Sequence, residues 1–158
     1  CANPHFPGRM ISPAVGENTD CDVRLSVLYD RKIVNLENAY NVHPGLLPRW
    51  AGCDILYWTV KEGATSQGWT CHRATDEFDA GPIVSQVSYP VFPNDSVLDL
   101  FMRSERVLPA FLEVCMGLVG LDNYSGIGDH PTYYRRDLPK CEMYERAGAE
   151  IGTYVLQH

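Results

Sequence analysis

The sequence predicts one α/β domain built on a mixed sheet, and three observations carry that expectation. Four short runs, at 22–29, 40–43, 69–74 and 83–91, have the alternation or the apolar density of strands. One long run, 97–119, repeats its apolar residues at helical spacing. No linker, internal repeat or low-complexity tract divides the 158 residues, and a chain of that length can bury one proper core without staples.

Taken in order, residues 1–20 are rich in Pro, Gly and Asn without a sustained period, so they read as irregular, with at most a short strand or helical turn at 10–15. In 22–29, Val23, Leu25 and Val27 share one face of a buried strand, and 29–33 is the loop leaving it. Residues 33–38 leave room for no more than a helical turn. A strand end follows at 40–43, closed by Pro44, Gly45 and Pro48. Residues 55–62 suit a short buried helix, with Asp54 as its cap and Gly63 as its stop. Between the strands at 69–74 and 83–91 lies an acidic loop ending in Gly81-Pro82. Asn94-Asp95-Ser96 then caps the long helix, in which Val97, Leu100, Phe101, Leu108, Phe111, Leu112, Cys115 and Val119 form the apolar stripe and Pro109 is expected to kink or divide it. From 120 onward Gly126, Gly128, Pro131 and Pro139 predict an extended, mostly irregular arm, with a short helix at 142–149.

Composition narrows the function. At 45% apolar and 21% charged, the chain reads as an ordinary globular protein, and its formal net charge of −7 disfavours a nucleic-acid partner that would need a wide positive surface. Its longest basic run is Arg135-Arg136, and no apolar stretch is long enough to span a bilayer. Cys1, Cys21, Cys53, Cys71, Cys115 and Cys141 are scattered with no C-x-x-C pair, which argues against zinc and against a dense disulfide framework and fits a cytoplasmic location. The chain begins with Cys and shows no signal-like segment, so a fragment or a processing product is expected.

The chemistry centres on Asn41-Val42-His43-Pro44-Gly45-Leu46-Leu47-Pro48-Arg49-Trp50. Residues two apart in a strand share a face, so Asn41 and His43 project together while Tyr40 and Val42 pack on the other side. The turn residues leave both polar groups at the strand's carboxyl end, where open α/β sheets bind ligands. Two roles fit this pair: local turn chemistry, or an amide that holds developing negative charge beside an imidazole that moves a proton or carries positive charge. A carboxylate from the acidic loop, brought to His43, would orient the ring and favour its charged form.

With the 41–50 block and Thr75-Asp76-Glu77-Phe78-Asp79-Ala80-Gly81-Pro82-Ile83-Val84 in this order and at about this separation, the chain resembles the folate-dependent formyltransferases. That family includes the glycinamide ribonucleotide, methionyl-tRNA and sugar-nucleotide enzymes. The resemblance covers roughly 22–120, with an echo at Tyr133-Tyr134-Arg135-Arg136 and a weaker match at 25–33. It implies a mixed, mostly parallel Rossmann-like sheet, truncated at its amino-terminal side because family members carry some three further strands before 22. On that reading 1–21 is an irregular leading segment, 22–120 the catalytic domain and 121–158 an extended arm. Another copy of the chain, as a homodimer, or the leading segment would have to cover the exposed sheet edge.

The resemblance also implies roles. Asn41 would donate its amide to the oxyanion formed when an amine attacks the formyl carbon of 10-formyltetrahydrofolate, His43 would help stabilise that oxyanion and relay a proton, and Asp79 would orient His43 and a water that takes the amine's proton. Leu28, Tyr29, Arg31, Ala74, Thr75 and Asp76 would line the pterin pocket. The cosubstrate is 10-formyltetrahydrofolate, no metal is implied, and the acceptor is a small-molecule primary amine; the echo at 133–136 favours an amino sugar nucleotide. A hydrolase of the same folate and a folate-binding remnant without turnover are the rival readings. Beside these, His72 reads as a packed, hydrogen-bonded histidine or pocket wall, and Trp50, Trp58 and Trp69 as core or pocket walls. Asp76 and Glu77 fit a solvated turn, and Arg135-Arg136 either an anion site or a solvated pair. His5, His130 and His158 read as exposed residues without a role.

Overall fold

The computed structural model describes residues 23–27, 33, 36–121, 124 and 133–134. Their elements, in chain order, are β1 (Arg24–Val27), β2 (Ala39–His43), β3 (Ala51–Gly52), α1 (Ile55–Lys61), β4 (Ser66–Arg73), β5 (Ile83–Pro90), α2 (Val97–Leu118) and β6 (Tyr133–Tyr134). The main sheet has the order β1-β2-β4-β5, and β3 pairs with β6 in a second, two-stranded sheet. The main sheet is mixed, as expected, but only β1–β2 is parallel; β2–β4 and β4–β5 are antiparallel. The expectation of a mostly parallel sheet therefore fails for these strands. A parallel neighbour needs a crossover of a dozen or more residues, and only 74–82 joins β4 to β5.

The alternation in β2 sorts its side chains as predicted. Tyr40 and Val42 enter the main core with Trp69, Cys71, Tyr89, Leu100, Leu108, Phe111 and Cys115, while Val23, Leu25 and Val27 pack against its margin, half-buried. Helix α2 supplies the other wall of that core. Its start is a capping box, in which Ser96 accepts from the Asp99 amide and the Asp99 carboxylate accepts from the Ser96 amide. It runs unbroken through Pro109, so the predicted division does not occur. An interior proline costs about 3 kcal/mol, whereas burying Leu100, Leu108 and Phe111 on one face gains about 1.5–3 kcal/mol each. The end of α2 is tied down by the Gly120 amide donating to the Tyr40 hydroxyl at 3.0 Å.

Helix α1 starts where expected, yet Asp54 does not cap it with its side chain: its backbone lies in the left-handed region, at φ 54°. Gly63, at φ +63°, is the predicted stop. The β3–β6 pairing replaces the irregular structure expected at 133–134, and two residues are too few to show a strand period in sequence. The expected elements at 10–15 and 142–149, and most of the leading segment and arm, lie outside the described residues.

Candidate active site

Residues 44–50 leave β2 and fold back over the sheet, and buried polar side chains hold them there. Thr70 in β4 has its hydroxyl fully used: it donates to the Gly45 carbonyl at 2.6 Å and accepts from the Leu47 amide at 3.0 Å and from Gln86 Nε2 at 2.9 Å. Gln86 also donates to the Leu47 carbonyl at 2.9 Å. Gln67 accepts from the amides of Leu46 and Gly68 and donates to Thr59, which donates in turn to Ile55 in α1. A network this complete fixes a loop in one position, because any displacement strands several buried groups at once.

That fixed loop presents the Trp50 carbonyl to His43. His43 Nε2 lies 2.6 Å from it, and a carbonyl can only accept, so Nε2 carries a hydrogen. On the other side of the ring, Nδ1 lies 3.3 Å from Asp79 Oδ1. A proton on Nδ1 therefore gives an imidazolium clamped between a carbonyl and a carboxylate. Gly45 makes the approach feasible: a Cβ there would run into the Trp50 carbonyl and stand 2.9 Å from His43 Nε2.

Asp79 reaches the site from the loop between β4 and β5. The neck of that loop is closed by the Arg73 amide donating to the Pro82 carbonyl at 2.9 Å. Gly81 packs so closely on Arg73 that a Cβ would overlap its carbonyl. Asp79 itself sits at φ 55°, a conformation Asp tolerates better than most residues, and its Oδ2 accepts the Gly52 amide at 2.9 Å. One carboxylate thus joins the loop after β2 to the loop after β4.

The structure brings His43 and Asp79 into direct contact, and it brings Asn41 to them through His72, which the sequence reads as a packed, hydrogen-bonded histidine or pocket wall. His72 faces Asn41 across the β2–β4 pair, beside the place where β5 carries an extra residue, Val84, in its pairing with β4. Asn41 Nδ2 lies 3.3 Å from His72 Nε2, which is 3.8 Å from Asp79 Oδ1. His72 is thus a pocket wall that touches two of the three proposed catalytic groups. The signal that could have found it is its alternation with Thr70 on the face shared by Asn41 and His43. The side chains of His43 and His72 are 4% and 3% exposed and that of Asp79 10%, so charges here act through a medium poor in water, while half-buried Asn41 faces outward.

Of the residues expected to line a pterin pocket, Ala74, Thr75 and Asp76 open the Asp79 loop. The Ala74 amide donates to Ala39, the Thr75 hydroxyl to the Glu77 carbonyl, and Asp76 is exposed. Leu28, Tyr29 and Arg31 lie outside the described residues. Trp69 is core, donating its indole N–H to the Ser104 carbonyl at 3.2 Å; Trp50 is buried beneath the Arg49 guanidinium. Ser26, opposite Asn41 in the β1–β2 register, has a buried hydroxyl with no partner among the described residues. An unpaired buried hydroxyl in line with Asn41 suits a ligand that brings polar groups of its own. Among the described residues no group of His, Cys, Asp or Glu is arranged to hold a metal ion, and no helix is long and apolar enough to cross a membrane.

Comparison with known proteins matches this geometry to a family. The family model "Formyl transferase" matches residues 30–112, which include Asn41, His43, His72 and Asp79. The GDP-perosamine N-formyltransferase of Brucella melitensis is 30% identical over 144 residues, covering 86% of this chain and 55% of that protein. The chain thus spans about half the length of this curated relative. Among solved structures, the sugar 3N-formyl transferase WlaRD, determined in the presence of dTDP and 5-N-formyl-THF, superposes with a TM-score of 0.65 at 20% identity, over 74% of this chain and 46% of that one. Glycinamide ribonucleotide transformylase 1 from Symbiobacterium toebii gives 0.51 at 29% identity, over 56% and 47%. With a family match spanning more than half of its residues and the same fold in solved formyltransferases, the chain belongs to the formyl transferase family.

Proposed function

We propose that this chain carries the transfer site of an N-formyltransferase, which moves the formyl group of 10-formyltetrahydrofolate to a primary amine of a small molecule, an amino sugar nucleotide by preference. The observation that carries this reading is the meeting of the His43 ring and the Asp79 carboxylate beside the Asn41 amide. The acceptor is suggested by the relatives that act on sugars, and the donor by the folate with which WlaRD was solved.

In the reaction the amine lone pair attacks the formyl carbon, a C–N bond forms, and the carbonyl π electrons move to oxygen. Asn41 Nδ2–H donates to that oxyanion, and an imidazolium at His43 lowers its energy through charge. Asp79 holds that imidazolium and, through a water, takes the proton released by the amine nitrogen. When the oxyanion collapses, the bond to N10 of the folate breaks, and its electron pair takes up a proton, leaving tetrahydrofolate and the formamide. The short bond from His43 to Trp50 favours a fixed positive charge over the expected proton relay, which would require that bond to open. Leu28, Tyr29, Arg31, Ala74, Thr75 and Asp76 are assigned to the pterin pocket. A second copy covering the β1 edge and a cytoplasmic location, supported by the free thiols of Cys71 and Cys115, complete the reading.

The test is incubation of the purified chain with 10-formyltetrahydrofolate, with and without amino sugar nucleotides. Amine-dependent consumption is expected, with Asn41→Ala slower by about 10²–10³. Formate release without amine would make the site a hydrolase, and binding without consumption would make it a folate-binding module.

A further inference from the structure

We propose that His72 is a positioning residue that sets which way round the Asn41 side-chain amide points. Its activity test rests on the formyl-transfer reading above, but the geometry does not. His72 Nδ1 lies 2.9 Å from the Arg73 carbonyl, and since a carbonyl only accepts, the ring hydrogen is on Nδ1. In the neutral ring Nε2 is then an acceptor. Asn41 presents Nδ2 to it at 3.3 Å, donor to acceptor. Turned by half a rotation, the amide would set its oxygen against the Nε2 lone pair, two acceptors face to face.

The amide nitrogen carries two hydrogens. One is taken by His72, which leaves the second aimed into the site for an oxyanion. Without the His72 lone pair, both orientations of the amide become comparable, and in one of them its oxygen would confront developing negative charge.

The ring is itself locked. Its side chain is nearly fully buried, it stands directly opposite Asn41 in the strand pair, and Gly81 lies so close that a Cβ there would be 3.2 Å from Nδ1. The neighbouring carboxylate does not displace this arrangement, because Asp79 Oδ1 is closer to His43 Nδ1, at 3.3 Å, than to His72 Nε2, at 3.8 Å. On its other side β4 meets an irregularity of β5, where Val84 is skipped between the pairs Cys71–Ser85 and His72–Ile83, while the register of His72 against Asn41 stays regular.

Two variants, a double mutant and one spectrum test this. His72→Leu removes the acceptor at similar volume, and His72→Gln offers a side-chain oxygen in its place. His72→Leu is expected to lower kcat by about tenfold or more, less than outright loss of an oxyanion donor, with the folate KM unchanged. His72→Gln is expected to recover most of that loss. In an Asn41→Ala background His72→Leu should cost nothing further, because the amide it orients is gone. An equal additional loss in that background, or a His72→Gln variant as slow as His72→Leu, overturns the proposal. A long-range nitrogen–proton NMR spectrum of the labelled wild-type protein at neutral pH reads the histidine tautomer directly: a protonated Nδ1 with a bare Nε2 is expected. A protonated Nε2 refutes the proposal whether or not any formyl group is transferred, so its failure and that of the transfer reading are told apart.

Discussion

At the scale of single residues, the site depends on atoms that are missing as much as on those present. Gly45 lacks the Cβ that would push the Trp50 carbonyl off His43, and the obstructing atom is backbone, which cannot step aside by changing rotamer. Gly45→Ala is therefore expected to destabilise the fold by about 1–3 kcal/mol and to lower turnover; thermal melting with a steady-state assay checks both, and an unchanged pair of values would refute the clamp on His43. Asn41 and His43 were readable in sequence because a period of two places them on one face. Asp79 was found only by resemblance, since no local pattern says which distant carboxylate folds back onto a given strand. His72 was legible as a packed, hydrogen-bonded pocket wall but not as the neighbour of Asn41, for a related reason: that contact is set by the register of Asn41 against His72, and register belongs to two strands at once.

At the scale of elements, the loop after β2 and the start of α2 make opposite predictions. Thr70→Val deletes a buried hydroxyl with three partners and leaves the Gln86 and Leu47 donors short of an acceptor, at a cost of about 1–3 kcal/mol. It should also lower turnover, because the released loop carries the Trp50 carbonyl; a melt together with a rate measurement decides it. Ser96→Ala should cost about 1 kcal/mol through the lost cap while leaving turnover intact, as that helix end lies outside the site. The same helix start is sensitive to acid. Arg103 holds the Asp95 carboxyl below its ordinary value of 3.8, through a hydrogen bond at 2.5 Å, and Ser96 does the same for Asp99. Groups depressed by folding contribute their stability above the unfolded value and lose it as pH falls. Melting temperature should therefore hold above pH 3.8 and drop beneath it, and Asp95→Asn should flatten that drop; an unaltered acid limb in the variant would count against the pair.

At the scale of the whole molecule, one face of the main sheet is core and the other is site, and β4 serves both with alternate residues. Cys71 faces α2 beside Cys115, between Thr70 and His72, which face the site. The hydrogen bond with the neighbouring Cys115 thiol, and then burial, push the Cys71 thiol up, far from the reactive thiolate. Because both are fully buried, alkylation of the native protein should spare Cys71 and Cys115, with both becoming reactive in denaturant; peptide mapping reads the outcome, and native labelling of Cys71 would mean that the core opens. By itself the sequence determined the strands, the long capped helix and the partition of β2 into an apolar face and a polar one, because these follow from periods and end signals that lie within a few residues. Only the tertiary structure decided that the neighbours of β4 run antiparallel, that residues 51–52 pair with 133–134, and that His72 stands between Asn41 and Asp79. Those are choices of partner and register between segments distant in the chain, and burial of the whole core settles them together.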